Sequence, residues 1–398
     1  MRVAVCGPID LAGLSALLER NPNQPLPSGQ LGTAVTQLIT GLVDQGFEVV
    51  AVTLDQKVSE PMKFTGPHLS LRVGPYRERH RARDLFRSER RFIRAALVEE
   101  QPDLAHAHWT YEYALGALSS GIPTLVTIRD WAPTVLRYDT SPYRAVRLLM
   151  NLETLERAPA LTVTSPYMQD LLRQWSRRHA PVIPNGLRDD YFQRRRKLQD
   201  LVAPELVSVN AGFGARKNVG RLLQAFRIVR QGIPNSRLRL VGPGYERGGA
   251  AHRWAVQHGL SNGVIFSGKK PFNQVLGVLR NADLLVHPSR EESFGNTLVE
   301  AMAQGLPVVA GEASGAPPWV LEYGAAGVLT DVSSASRLAL AILSVLDDPE
   351  CWQALSNAAY KRASDSFRLS SSVTRYAQAY QRVSEVFDCR TQSHSGRV

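Results

Sequence analysis

The sequence predicts an α/β protein built from two doubly wound, parallel-sheet domains in tandem. Three observations carry that expectation. Short runs rich in Val, Ile and Leu alternate with longer amphipathic stretches, the pattern of parallel strands covered by helices on both faces. The alternation runs through one series to about residue 183 and restarts near residue 205. A length of 398 residues suits two domains of ordinary size.

In the first series the strand candidates are 3–6, 47–54, 69–73, 104–107, 124–128, 161–164 and 181–183, with helices such as 33–45 and 88–100 between them. The turn Ile183-Pro184-Asn185-Gly186 and the run Arg194, Arg195, Arg196, Lys197 place a linker at about 186–204. The second series comprises 206–209, 237–241, 264–266, 284–287, 307–310 and 327–329. A last helix, about 371–387, follows it and is free to pack on either domain. The domains are then 1–198 and 199–369. Ligands of such folds are expected in the crevice at the carboxyl ends of the strands.

Hydrophobic residues make up 44% and charged residues 21%, which fills a core and excludes low-complexity or collagen-like chains. Cys6, Cys351 and Cys389 are scattered and odd in number, so neither a disulfide framework nor a zinc site is indicated. No apolar run approaches the ~18–20 residues that span a bilayer. The opening MRVAVCGPIDLAG reads as a strand and turn, not as a signal peptide. A cytoplasmic location is expected. The formal net charge of +11 suits nucleic acid, anionic lipid or a phosphorylated substrate alike.

The most informative segment is 288–305, PSREESFGNTLVEAMAQG, between the strand 284–287 and a helix starting near Asn296 or Thr297. Gly295 lets backbone approach a ligand, and Asn296 or Thr297 can cap the helix. Its first-turn amides suit a diphosphate. Glu292 before the turn and Glu300 inside the helix can each accept paired hydroxyls of a sugar or ribose. A purely structural reading has the two acids merely favouring a helix start. The run 208–218, SVNAGFGARKN, is a second strand and glycine turn, with Arg216 and Lys217 at the mouth of an amphipathic helix 219–229. There they suit a diphosphate, or form an ordinary solvated pair. Both loops should face one crevice. VGPGY at 241–245, with Gly244, ends another strand and either lines a nucleotide or makes a tight turn.

In the first domain, PSGQLGT at 27–33 can bring the backbone of Gly29 and Gly32 to a phosphate or sugar. It lies some twenty residues from the first strand and lacks the Gly-x-Gly-x-x-Gly spacing, which disfavours a nicotinamide oxidoreductase. His106 and His108 leave another strand end; expected on opposite faces, they make poor ligands for one metal. Arg129 and Asp130 close the next strand at the crevice rim. A core histidine and a rim ion pair are the structural readings of these residues.

The segment 288–305 resembles the Pro-Ser-x-x-Glu-x-Phe-Gly…Glu-Ala-Met-x-x-Gly pattern of family-4 retaining glycosyltransferases, with its Glu-x7-Glu pair at Glu292 and Glu300. Strand-turn-Lys-helix at 208–226, Val-Gly-x-Gly at 241–244 and Ile-Pro-Asn-Gly at 183–186 follow that family in the same order. The resemblance is strong over about 181–330, looser over 100–180 and weak before residue 100. It implies a GT-B fold, with a C-terminal helix at about 370–390 crossing back to the first domain. It implies a nucleotide-diphosphate sugar donor held mainly by the second domain and a glycan or lipid-linked acceptor held by the first. Carried over by position, Lys217 and Arg216 would bind the diphosphate. Backbone groups of Ser293, Phe294, Gly295, Asn296, Thr297 and Leu298 would meet sugar and phosphates, Glu292 the sugar hydroxyls and Glu300 the ribose. Neither a metal nor another cofactor is expected. Two departures stand out: Gly212 replaces the usual Arg five positions before Lys217, and Arg129 stands where many members have a His beside the reacting carbon. Arg129 and Asp130 join Glu292 and Lys217 as the candidate catalytic set.

Two other readings compete. One is a sugar-nucleotide epimerase of related fold; the other is a basic binding protein without catalysis. Recognised nucleic-acid modules are missing, and nucleic acid is not expected as a partner. Nine arginines between Arg72 and Arg94, on a predicted helical stretch with Leu85, Phe86, Phe92 and Ile93, form a basic surface. A second basic group runs from Arg173 to Lys197. Such surfaces can dock on anionic lipid at the inner face of the membrane or on an anionic glycan, or simply be solvated.

Overall fold

The computed structural model describes residues 1–19, 24–193 and 203–395. The predicted linker residues Arg194 to Lys197 lie outside them. The chain divides into two compact units, 1–188 with 369–398, and 189–368.

Unit 1 is a seven-stranded sheet. Its strands are β1 (Arg2–Cys6), β2 (Glu48–Asp55), β3 (Met62–Thr65), β4 (Leu69–Pro75), β5 (Leu104–His108), β6 (Thr124–Ile128) and β7 (Ala160–Val163), in the order β3-β4-β2-β1-β5-β6-β7. All neighbours are parallel except β3, which runs antiparallel to β4. The all-parallel expectation is corrected there. The polar, short MKFT gave no sign of a strand, and β3 forms because Phe64 pairs with Leu71 and buries its ring. The predicted strand at 181–183 contributes only an isolated bridge, Val163 to Val182.

Alternate residues of β1 feed opposite faces of the sheet: Val3 and Val5 one apolar cluster, Ala4 and Cys6 the other. Each fully buried Val contributes about 1.5–3 kcal/mol. Burial also pushes the Cys6 thiol far up, so it is a packing group and not a nucleophile. The C-terminal helix Leu369–Ser395 belongs to unit 1. Val373, Tyr376, Tyr380 and Val383, spaced for one helical face, are buried in the same cluster as Val3. Gly41 permits this contact, because a Cβ there would stand 2.8 Å from Val373 Cγ2.

The arginine-rich stretch is not one helix. Arg72 lies in β4, and the helix Arg87–Glu100 starts only after Leu85 and Phe86 adopt left-handed backbone. Phe86 is fully buried. Several of the arginines are internally paired: Arg72 with Glu99 and Glu100, Arg77 with Asp84 and Glu89, and Arg90 with Glu153.

Unit 2 is a six-stranded parallel sheet. Its strands are β8 (Glu205–Val209), β9 (Arg237–Val241), β10 (Val264–Gly268), β11 (Leu284–His287), β12 (Val308–Gly311) and β13 (Val328–Thr330), in the order β10-β9-β8-β11-β12-β13. Strand order reverses between β8 and β11, so the loops leaving those two strands diverge and open a cleft between them. In unit 1 the corresponding reversal lies between β1 and β5.

Candidate active site

In unit 2 both motif loops leave the reversal point. The first, after β8, runs from Asn210 to Asn218 and leads into the helix Val219–Gly232. Asn218 takes left-handed backbone (φ 56°). Its side-chain amide donates to the carbonyls of Pro288 at 3.1 Å and Val332 at 2.8 Å. The Arg290 amide donates to the Arg216 carbonyl at 2.8 Å, and Ser289 Oγ donates to Asn210 Oδ1 at 3.2 Å. A third loop is tied in through the Glu292 amide to the Ser314 carbonyl and the Ala316 amide to the Glu292 carbonyl. Three loops are thus stitched into one rigid floor.

On that floor the predicted charged groups converge. Lys217 Nζ lies 2.5 Å from Glu292 Oε1, both largely withdrawn from solvent. His287, the last residue of β11, reaches the same oxygen through Nε2 at 3.1 Å. Burial alone would push the Glu292 carboxyl up; Lys217 and the His287 ring more than reverse that and hold it well below the usual carboxylate range. Arg216 pairs with the buried Glu291 at 3.2 Å. Burial outweighs that pairing and raises the Glu291 carboxyl.

Glu300 is different. It is buried, makes no hydrogen bond to a described residue, and burial raises its pKa from 4.5 to about 7. It is an acceptor without a donor.

The turn between the two acids is close to expectation, with one correction. The helix Asn296–Met302 is capped by Gly295 (φ 92°), and neither Asn296 nor Thr297 supplies a capping side chain. Left-handed backbone at that point needs a residue without Cβ, which would stand 2.8 Å from Leu298 Cδ1. Phe294 and Leu298 turn their side chains into the core, so only their backbone can meet a ligand. Ser293 is buried, while Asn296 is exposed. Gly244 (φ 88°) borders the first loop, near the Phe213 amide, and the neighbouring Tyr245 hydroxyl donates to the Gly212 carbonyl at 2.8 Å.

In unit 1 the expected residues gather at the ends of β1, β5 and β6. The histidine expectation is corrected: residues two apart on a strand share a face, and the His106 and His108 rings stand 4.1 Å apart. His106 is a buried network member, bonded to the Tyr380 hydroxyl at 2.8 Å and to Thr127 Oγ1 at 2.7 Å. Arg129 donates from Nε to His108 Nδ1 at 2.9 Å and from Nη1 to Asn185 Oδ1 at 2.6 Å. It does not pair with Asp130, which interacts with Tyr111. Gly29 (φ 69°) donates its amide to Asp55 Oδ2 at 2.6 Å, and a Cβ at Gly32 would overlap the Pro8 carbonyl. Both glycines serve close packing of the loop on β1. Among the described residues, no group of three His, Cys, Asp or Glu side chains could hold a metal ion.

Sequence reasoning missed His287, Glu291 and Asn218. The signal for His287 was available: a polar residue closing a buried strand, five positions before Glu292.

Comparison with known proteins bears on the family and the fold. A family model described as glycosyl transferases group 1 matches residues 192–362, and one described as a glycosyl transferase 4-like domain matches residues 29–186. The chain is 28% identical over 392 residues to a D-inositol 3-phosphate glycosyltransferase of Thermobispora bispora, covering 89% of this chain and 90% of that one. It is 26% identical over 301 residues to an N-acetyl-alpha-D-glucosaminyl L-malate synthase of Bacillus anthracis, covering 71% and 75%. The solved sucrose-phosphate synthase of Thermosynechococcus elongatus superposes with a TM-score of 0.76 at 22% identity, covering 96% of this chain and 99% of that one. Two family models in tandem, over a chain with two Rossmann-like sheets, make this protein a member of the GT-B glycosyltransferases.

Proposed function

We propose that the protein is a retaining, metal-independent transferase that moves a sugar from a nucleoside-diphosphate sugar, bound by unit 2, to a hydroxyl of a glycan or lipid-linked acceptor bound by unit 1. The Lys217–Glu292–His287 cluster carries this reading. When the donor enters, the Lys217 ammonium turns from Glu292 to the diphosphate, with Arg216 beside it. Glu292 keeps its bond to His287 and accepts sugar hydroxyls, while Glu300 accepts the paired hydroxyls of the ribose. Backbone amides of residues 293–298 meet the phosphates, and the loop at Gly244 borders the nucleotide.

The acceptor hydroxyl attacks the anomeric carbon on the face from which the nucleoside diphosphate leaves. The carbon–oxygen bond to phosphate breaks, and the hydroxyl proton passes to the departing phosphate oxygen. The protein contributes positioning and a cation for the charge that develops on the leaving group. Arg129 sits on the acceptor side with Asp130, His106 and His108; a guanidinium does not exchange a proton near neutral pH, so its role is to bind.

The test is a panel of uridine, guanosine and adenosine diphosphate sugars, with and without candidate acceptors and with a chelator present. Nucleoside diphosphate released only when acceptor is added, and undiminished by chelator, supports the reading. Donor sugar converted to an epimer without release would replace it with the epimerase reading. Glu292→Ala should weaken binding of the sugar nucleotide more than that of the bare nucleoside diphosphate.

The membrane contact has a narrower basis. Asp84, Leu85, Arg87, Arg90, Arg91, Arg94 and Ser119 line a cavity of about 520 Å³ on unit 1. Arg87, Arg91 and Arg94 are exposed, and their guanidinium groups meet no carboxylate among the described residues. No helix among the described residues is long and apolar enough to cross a membrane. A cytoplasmic protein resting this groove on anionic headgroups is the arrangement we favour.

A further inference from the structure

The proposed reaction gives Arg129 a binding role without saying what it binds. It follows β6, half-buried, with the Trp109 ring 5.7 Å from Cζ. Both of its hydrogen-bond partners are neutral. Asn185 is an amide. His108 accepts at Nδ1, which a protonated ring cannot do, and burial holds its pKa well below the usual histidine range. No carboxylate pairs with the guanidinium among the described residues. Burial accordingly lowers the Arg129 pKa.

Two other withdrawn arginines of the unit are ion-paired, whereas Arg178 donates to the Leu155 carbonyl. Arg72 meets Glu99 and Glu100, and Arg147 meets the buried Glu112 at 2.7 Å. Withdrawing a guanidinium from water without a counter-charge costs several kcal/mol, and such an exception calls for a functional cause. Nη2 makes no hydrogen bond to a described residue, while the Nε and Nη1 bonds fix the plane of the group. One edge of a planar fork is locked by the protein, and the other is left for a ligand. Planar forks match carboxylate and phosphate oxygens in pairs.

We infer that Arg129, held by His108 and Asn185, is an anion-recognition residue of unit 1, and that the acceptor it receives carries a phosphate or carboxylate group. The inference rests on the glycosyltransferase reading for the word acceptor. The donor's phosphates have cations of their own in Arg216 and Lys217, which assigns the Arg129 anion to the other substrate.

The experiment is calorimetric titration of the full-length protein. Uridine, guanosine and adenosine diphosphate are titrated first, and the one that binds is kept saturating to occupy unit 2. Inorganic phosphate is then titrated, followed by sugars and hydroxy acids paired with and without their phosphate or carboxylate. Arg129→Gln should weaken binding of phosphate and of the anionic acceptor analogues by about tenfold or more, and that of the nucleoside diphosphate by less than about twofold. Arg129→Lys, which keeps charge but loses the fork, should fall between. An equal loss of nucleoside diphosphate binding would move Arg129 to the donor. Unchanged phosphate binding, or neutral analogues that bind as well as anionic ones, would overturn the inference. Should the variants not fold, wild-type protein decides: saturable phosphate binding must be displaced by sugar phosphate and not by chloride of equal ionic strength. If none of the three nucleotides binds, the donor reading fails, and the Arg129 comparison stands on phosphate alone.

Discussion

Glu300 offers the sharpest test of the site, because its environment makes a signed prediction about pH. Burial raises its pKa from 4.5 to about 7. In the unfolded chain the carboxyl ionises near its ordinary value. Between that pH and 7 the folded protein keeps the proton and the unfolded chain has lost it, so stability falls as pH rises. Above 7 the full difference is missing, about 3 kcal/mol for a shift of this size. Glu300→Gln keeps the shape of the protonated acid and cannot ionise. Urea denaturation at pH 5 and pH 8 should find the variant close to wild type at pH 5 and up to about 3 kcal/mol more stable at pH 8. Ligand binding should run the other way. Hydroxyls donating to Glu300 favour its ionised form, so wild-type affinity for the nucleoside diphosphate should climb between pH 6 and 8, and that climb should vanish in Glu300→Gln. A variant whose stability relative to wild type is the same at both pH values would refute the burial argument. A pH-independent wild-type affinity would refute the ribose contact.

Three further outcomes are expected. Lys217→Met should destabilise unit 2 by about 3–5 kcal/mol, because Glu292 is left charged in a withdrawn site. Lys217→Met with Glu292→Gln should restore much of that loss; strictly additive losses in thermal or urea melts would show that the pair is not coupled. His287→Ala should raise the KM for sugar nucleotide about tenfold with a smaller change in kcat, and His287→Gln should recover part of it by keeping a donor near Glu292; equal behaviour of the two variants would make His287 mere packing. Replacing Arg87, Arg91 and Arg94 by Gln should abolish cosedimentation with phosphatidylserine-containing vesicles while leaving turnover on a water-soluble acceptor within about twofold; cosedimentation that survives would place membrane contact elsewhere.

The strands that sit between two helix layers were legible, because burial on both faces demands near-continuous apolar runs, as in Val49, Val50, Ala51 and Val52 of β2. β3 was not: an antiparallel edge strand needs only one buried face, and Phe64 supplies it alone. The basic stretch misled for a related reason. Helical spacing of arginines is a one-dimensional pattern, while Leu85 and Phe86 enter left-handed backbone to bury the Phe86 ring, a tertiary gain that no local propensity encodes.

In the site, glycines and charges were legible but partnerships were not. A chain that returns to the same cleft from β8 and β11 brings residues 217 and 292 together, and the sequence announced each as a ligand group without announcing that they meet. Their meeting changes the chemistry. With Lys217 and Glu292 apart the site would hold two withdrawn, uncompensated charges; paired, the Lys217 ammonium holds the Glu292 carboxyl low, and under the proposed function a ligand then offers phosphate to one and hydroxyls to the other. In the proposed reaction His287 matters most at the moment of exchange, because it is the hydrogen-bond partner Glu292 would retain as Lys217 turns away. Arg129 has no such placeholder charge. That asymmetry, one cation paired with a carboxylate and the other bonded only to neutral groups, is what separates the proposed donor site, built to exchange partners, from the proposed anion site at Arg129.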